Sequence, residues 1–228
     1  MKIFSSHKIA IFLIILVLFL ILYPYLHGYY PEHVLITECS LAILMTSGVS
    51  IFLEKSYQKI SSILLALIVL LGVWLASYAQ YRWIIVSTLC VEFIFFSFIL
   101  VSMVKYVFRQ RTITLNKLLA AICAYLILGL LFAIFYTIIF TLHPGAFILE
   151  VSNTFINTNL YPHPAFFTEA IYFSFVTLST LGYGDLIPTF GPLKIIASLE
   201  AISGQLFIAI LIARLVGLHI IYTNKSNN

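Results

Sequence analysis

The sequence predicts an all-α membrane protein with six transmembrane helices, plus a re-entrant helix and an extended loop that precede the last span. Three observations predict this fold. The mean hydropathy is +1.10 and only 9% of the residues are charged, so the chain cannot supply the polar surface of a soluble domain. Six apolar runs reach the roughly 20 residues that a span needs. A further apolar piece, residues 165–178, is too short to span and indicates a re-entrant or buried helix.

The six spans are predicted at residues 9–26, 34–53, 60–79, 83–104, 118–142 and 195–218. The first run follows Lys2 and Lys8, as the apolar core of a signal peptide would. The bulky stretch YPYLHGYYPEH comes next, however, instead of a small-residue cleavage site. We therefore expect the first helix to remain uncleaved.

The basic residues indicate an orientation. With a cytoplasmic N-terminus and six crossings, ten basic residues lie on the inner side and two on the outer side, which is a strong positive-inside bias. Both termini are then cytoplasmic, and we expect a multi-pass protein of a plasma membrane or a bacterial inner membrane, surrounded by lipid bilayer. Because these charges serve orientation, they call for no nucleic-acid partner. The inner ten are Lys2, Lys8, Lys55, Lys59, Lys105, Arg109, Arg111, Lys117, Arg214 and Lys225.

The stretch TLSTLGYGDLIP, residues 177–188, lies between the last two spans and on the outer side in this orientation. Non-helical backbone at membrane depth is tolerated only where protein covers it or where it lines a watery cavity. Because glycine reaches positive φ without steric cost, Gly182 and Gly184 can turn successive carbonyls to one side. Such carbonyls can replace the hydration shell of a cation, with the Thr180 hydroxyl at the inner end and the charge of Asp185 at the outer mouth. A plain glycine-rich turn would explain a lone G-x-G, but the whole stretch favours a pore-lining loop.

Residues 180–185, TLGYGD, resemble the selectivity-filter signature of potassium channels, and the aromatic stretch AIYFSF precedes them as in that family. The resemblance covers residues 118–218, under half of the chain. It implies that main-chain oxygens coordinate K+, as is already known for this family, with K+ as the bound ion and no organic cofactor. Leu181 replaces the family's usual valine, and Ser179 replaces a frequent threonine. Leu181 still contributes a carbonyl, so its effect would be on the packing behind the filter. The implied K+ ligands are Thr180, Leu181, Gly182, Tyr183 and Gly184.

The same resemblance implies how the filter is held. A pore helix is expected at residues 168–179, with Thr168 as N-cap and Glu169 either as partner of the helix dipole or as an ordinary solvated residue. Gly204 lies 19 residues after Asp185, where the family often has a hinge glycine, although close helix packing explains it equally well. Since one chain supplies one filter strand, we expect a homotetramer. The positions that would support the filter from behind are Tyr172, Phe173, Val176 and Thr177.

The chain divides into two predicted regions. Residues 113–228 form the pore domain, with outer helix, turret, pore helix, filter and inner helix. Residues 1–112 form a four-helix domain where voltage-gated relatives carry their sensor, but no basic residue lies between Arg82 and Lys105. A sensor needs several arginines, so we expect no intrinsic voltage gating. Glu92 in the same helix either makes a packing hydrogen bond or senses protons or lipid. The short polar tail YTNKSNN indicates no attached ligand-binding domain.

The sequence therefore predicts a potassium-selective channel and not an enzyme. A non-selective cation channel of the same architecture is the alternative. An intramembrane enzyme that uses Ser203 and His219 is remote, because 16 residues along one helix separate the two side chains by about 24 Å. A structural or signalling role would follow if purified tetramers carried no ions.

Overall fold

The computed structural model describes residues 6–29, 40–48, 67–68, 71–72, 82–109, 114–149, 154–155 and 163–226. Its long helices are α1 (Ser6–Tyr29), α2 (Arg82–Arg109), α3 (Leu115–Leu142), α4 (His163–Leu178) and α5 (Gly191–Ser226). Residues 40–48 are also helical. The strands are β1 (Phe147–Leu149), β2 (Thr154–Phe155) and β3 (Leu186–Pro188).

Four helices of the described segments are long and apolar enough to cross a membrane. They coincide with the first, fourth, fifth and sixth predicted spans, which confirms a mainly helical membrane protein. The second and third predicted spans lie mostly outside the described residues, so the count of six stays a prediction. The four stretches are Lys8–Leu26, Arg82–Phe108, Leu115–Leu142 and Gly191–Arg214.

Helix α3 lies at the centre of the described helices, where it packs against α1, α2, α4 and α5. Lipid offers no hydrogen bonds to the backbone, and an uninterrupted helix pairs the backbone N–H and C=O groups of a segment this long within the segment itself. Small buried residues along α3 let its neighbours approach closely. At Gly129 a Cβ atom would lie 2.7 Å from the ring of Phe175 on α4. The small buried residues are Ala120, Ala121, Ala124, Gly129 and Ala133.

The first helices contact the pore region directly. The ring of Tyr23 on α1 meets the ring of Phe167 on α4 edge-on, with centroids 5.1 Å apart. The guanidinium of Arg214 on α5 donates to the carbonyl of Val107 on α2 and lies 4.6 Å from the centroid of the Phe108 ring. Thus α4 and α5 both contact helices of residues 1–112, and the division at residue 113 stays a prediction.

The segment from α4 to β3 enters and leaves at the same end of α3. Near that end, the Phe166 ring stacks on the Phe140 ring at 3.7 Å. Leu178, the last residue of α4, lies near the other end of α3, because the Tyr125 hydroxyl donates to the Leu178 carbonyl at 3.4 Å. Tyr125 is about 25 Å from Leu142 along α3. The chain then returns to strand β3, which pairs with β1 just beyond α3.

A small antiparallel sheet anchors this return, with strand order β2-β1-β3. Ile148 in the central strand pairs with Phe155 on one side and with Ile187 on the other. Thr189 extends the anchor, because its N–H donates to the Ala146 carbonyl at 2.9 Å. The sequence suggested only an ordered turret loop here, since strands of two or three residues are too short to show a periodic pattern.

Helix α4 begins earlier than predicted. The expected range was 168–179, whereas the helix runs from His163 to Leu178. The predicted N-cap role of Thr168 is therefore wrong, and its buried Oγ1 has no hydrogen-bond partner within the described segments. Pro164 explains the earlier start, because proline in the first turn lacks only an N–H that has no partner inside the helix anyway.

At Gly204, α5 lies close against the end of α4. A Cβ atom at this position would lie 2.1 Å from the carbonyl oxygen of Leu178. Of the two explanations that the sequence left open, close packing therefore has a direct structural basis. Bending at Gly204 stays a prediction.

We expect Gly204→Ala to destabilise the protein by about 1–3 kcal/mol, because the new methyl group must displace a backbone carbonyl. Thermal unfolding of the purified protein in detergent measures this effect. Gly217→Ala on the same helix is the matched control, since a Cβ there meets no atom within 4 Å. An equal loss of stability in both variants would contradict the packing role of Gly204.

Candidate functional site

The loop of residues 179–185 turns back over the end of α4. The N–H groups of Leu181 and Gly182 both donate to the Val176 carbonyl, at 2.9 and 3.3 Å. The N–H of Thr180 donates to the Thr177 carbonyl at 2.9 Å. Val176 and Thr177, which the sequence analysis placed behind the filter, thus contact the loop through their main-chain oxygens.

Positive φ angles occur at every second residue of the loop. The values are +60° at Thr180, +58° at Gly182 and +77° at Gly184. Glycine adopts this conformation freely, but a β-branched threonine there stores of order 1–3 kcal/mol of strain. In a regular strand successive carbonyls point to opposite sides, and a change in the sign of φ at alternate residues can bring them to one side.

The carbonyl oxygens of residues 180–184 accept no hydrogen bond from any described residue. The Leu181 and Tyr183 side chains are 57% and 66% exposed. A Cβ atom on Gly182 or Gly184 would meet no atom within 4 Å. Backbone carbonyls are strong acceptors that are rarely left unpaired when buried. In this exposed loop the oxygens of residues 180–184 are available to a further partner.

These carbonyl oxygens are groups that could hold a cation. Within the described segments, no three or more His, Cys, Asp or Glu side chains lie together in a way that could hold a metal ion. Neutral carbonyl oxygens are hard ligands that suit weakly hydrated or alkali cations rather than transition metals.

The Thr180 hydroxyl links the loop to α5. It donates to the Ser179 carbonyl at 2.6 Å and lies 3.0 Å from the Nε2 of Gln205, which donates to it. The sequence analysis missed Gln205. Its signal was an amide inside an apolar span, directly after Gly204.

At the other end of the loop, the Asp185 carboxylate is held on both oxygens. The Tyr172 hydroxyl donates to Oδ2 at 2.6 Å, and the Leu186 N–H donates to Oδ1 at 3.0 Å. The bond to Asp185, together with burial, raises the pKa of Tyr172 to about 12. Burial and the nearby charge of Asp185 raise the pKa of Glu169 above its usual value. Asp185 and Glu169 therefore lie near each other at the end of the loop that leads into β3.

The Phe173 side chain contacts rings of α3 and β1. Its ring centroid is 5.1 Å from that of Tyr136 and 5.3 Å from that of Phe147. Phe173 therefore braces α4 against α3 and β1, whereas Tyr172 is the aromatic residue that contacts the loop.

Glu92 lies on α2, which packs against α3. It lies buried on α2 with 4% of its surface exposed, and no described residue forms a hydrogen bond with its carboxyl group. Its role as a proton or lipid sensor stays a prediction.

Comparison with known proteins identifies the same part of the chain. A protein family described as "Ion channel" matches residues 137–218, which run from the end of α3 through the loop and into α5. The chain is 42% identical over 50 residues to Two-pore potassium channel 4 of Arabidopsis thaliana, and this match covers 22% of the chain and 18% of that relative. No solved structure matches the chain. These similarities support an ion channel and point away from an enzyme.

We expect Tyr172→Phe and Asp185→Asn each to loosen the outer end of the loop, because a phenol–carboxylate hydrogen bond is stronger than a neutral one. Hydrogen exchange of the purified protein, followed by mass spectrometry across residues 183–186, should be faster in both variants. The double variant should exchange no faster than the more affected single variant, because both changes remove the same interaction. Fully additive effects would show that the two side chains act separately.

Proposed function

We propose that this chain is one subunit of a potassium-selective channel that conducts K+ passively through a homotetrameric pore. The observation that carries the proposal is the loop of residues 180–184. It has five successive carbonyl oxygens without protein partners among the described residues and positive φ at alternate residues.

Carbonyls in this arrangement suit the needs of a permeating cation. An ion that enters a narrow pore must lose its water, and closely spaced oxygens restore the lost coordination. Thr180, Leu181, Gly182, Tyr183 and Gly184 would supply these oxygens. Potassium is proposed as the ion from the TLGYGD resemblance, and the name of the Arabidopsis relative agrees with it.

The surroundings of the loop favour cations at both ends. Helix α4 ends beside the inner part of the loop, so the partial negative charge of its C-terminus points towards any ion below the filter. Asp185 supplies charge at the outer end, where it would raise the local concentration of cations. Its bonds to Tyr172 and to the Leu186 N–H hold that charge in place.

A tetramer is proposed because one strand cannot surround an ion. The open side of the loop, with the exposed Leu181 and Tyr183 side chains, is where further strands would lie. Helix α5 adds an exposed apolar stripe at helical spacing, which suits contact with neighbouring copies. Closed cyclic symmetry is the usual arrangement for identical subunits. The stripe consists of Ile195, Leu199, Ile202 and Leu206, all more than half exposed.

Bilayer recordings from the purified protein test the selectivity. With mostly K+ on one side and mostly Na+ on the other, at equal total concentration and with some K+ on both sides, we expect a reversal potential close to the K+ equilibrium value. Gly182→Ala and Gly184→Ala should abolish the current or its selectivity, because an L-residue in a left-handed conformation costs roughly 1–2 kcal/mol and displaces the carbonyls. Gly191→Ala should conduct normally, since a Cβ there meets no atom within 4 Å and its φ is not positive.

Two outcomes would reject this proposal in different ways. A reversal potential near zero would indicate the non-selective cation channel of the same architecture. A complete lack of ion flux from folded, assembled protein would instead exclude a channel and favour a structural or signalling role.

Voltage gating is a separate property, which we expect to be weak or absent. Helix α2 carries Glu92 and no basic residue between Arg82 and Lys105, whereas each sensor charge contributes only about 2.3 kcal/mol per 100 mV. The conductance–voltage relation in symmetrical K+ without blocking ions should therefore be shallow. A steep relation would contradict this expectation.

A further inference from the structure

Glu200 on α5 is a fully buried acid at the meeting point of three helices, with 0% of its surface exposed. The Tyr136 hydroxyl on α3 lies 2.6 Å from its Oε2. The Ser174 hydroxyl on α4 lies 2.5 Å from its Oε1 and 2.7 Å from the Gly129 carbonyl on α3. The sequence analysis assigned no role to this residue.

The number of available protons constrains the charge of this carboxyl group. A serine hydroxyl has one proton, and a carbonyl oxygen can only accept. If Ser174 donates to the Gly129 carbonyl, the contact between Ser174 and Glu200 needs a proton from Glu200. A neutral Glu200 therefore satisfies all three contacts, because it donates from Oε1 to Ser174 while Oε2 accepts from Tyr136.

An ionised Glu200 would leave one contact without a proton. Ser174 could then donate either to Glu200 or to Gly129, but not to both. A buried carboxylate also needs a basic partner, and none of the described Lys, Arg or His residues forms an ion pair with Glu200. The Tyr136 ring is enclosed by the rings of Phe147 and Phe173, which offer no charge.

We propose that Glu200 is a neutral carboxylic acid that donates a hydrogen bond to Ser174 and thereby fixes α5 to α4, as a positioning residue for the loop. Ser174 lies two residues before Val176, whose carbonyl accepts from the N–H groups of Leu181 and Gly182. One turn further along both helices, Gly204 packs on Leu178. Helix α5 thus contacts α4 at two points in register, and a shift of α5 is transmitted to the base of the loop.

The protonation of Glu200 is tested by infrared spectroscopy on purified, assembled protein at neutral pH. We expect the spectrum to contain a carbonyl stretching band of a protonated carboxyl group that Glu200→Gln removes. Ser174→Ala should shift the frequency of this band, because the frequency depends on the hydrogen bond that the Glu200 carboxyl group donates to Ser174. Glu92→Gln is the matched control, since it changes a buried acid on α2 and should leave that band in place. A band set that Glu200→Gln does not change would overturn the proposal.

The positioning role, which rests on the proposed function, is tested by rescue. The amide of Glu200→Gln can still donate to Ser174 and accept from Tyr136, so this variant should keep the thermal midpoint and the K+ over Na+ selectivity of the wild type. Ser174→Ala should lose selectivity even where it folds and assembles. Loss of selectivity in Glu200→Gln, or its full retention in Ser174→Ala, would contradict the role.

The two proposals fail in distinguishable ways. If the protein carries no selective K+ current, the infrared band still reports the state of Glu200. If the current is selective but the band is absent, only the inference about Glu200 falls.

Discussion

The constraint on which the rest of this structure depends is that a polar backbone within an apolar chain must find partners. A helix pairs its own backbone N–H and C=O groups, and that is why most of the described chain is helical. The exception is the loop after α4, where the carbonyls of residues 180–184 receive nothing from the described protein. Such a segment is tolerated where it lines a watery path. In the channel that we propose, cations would take the place of the missing donors.

The neighbouring elements serve to hold this unusual segment in place. Its N-terminal end lies on α4 through Val176 and on α5 through Gln205. Its C-terminal end is fixed by Asp185 and by strand β3 in the small sheet. Gly204 lets α5 lie directly on the end of α4. The strain of a left-handed Thr180 is therefore supported from several sides, as strained residues at functional sites generally are.

Local patterns predicted the loop far better than its supports. Glycine spacing predicted positive φ at Gly182 and Gly184, whereas Thr180 could not be predicted because threonine disfavours that conformation. The Glu200 contacts join residues that are 64 and 26 positions apart, and no periodicity reveals such pairs. Thr168 has the residue type of an N-cap, but the helix starts at His163 and has Pro164 in its first turn, where proline is tolerated. The first, fourth, fifth and sixth spans could be predicted because a helix satisfies all the backbone hydrogen bonds of a long apolar run.

The most direct test of carbonyl coordination is a structure of the assembled protein in K+, with thallium as an anomalous substitute for the ion. Ordered ions should lie on a four-fold axis, between rings of carbonyl oxygens from residues 180–184 of four identical chains. Oxygens that face away from such an axis, or a loop that contacts only bulk water and holds no ion, would contradict the proposed filter.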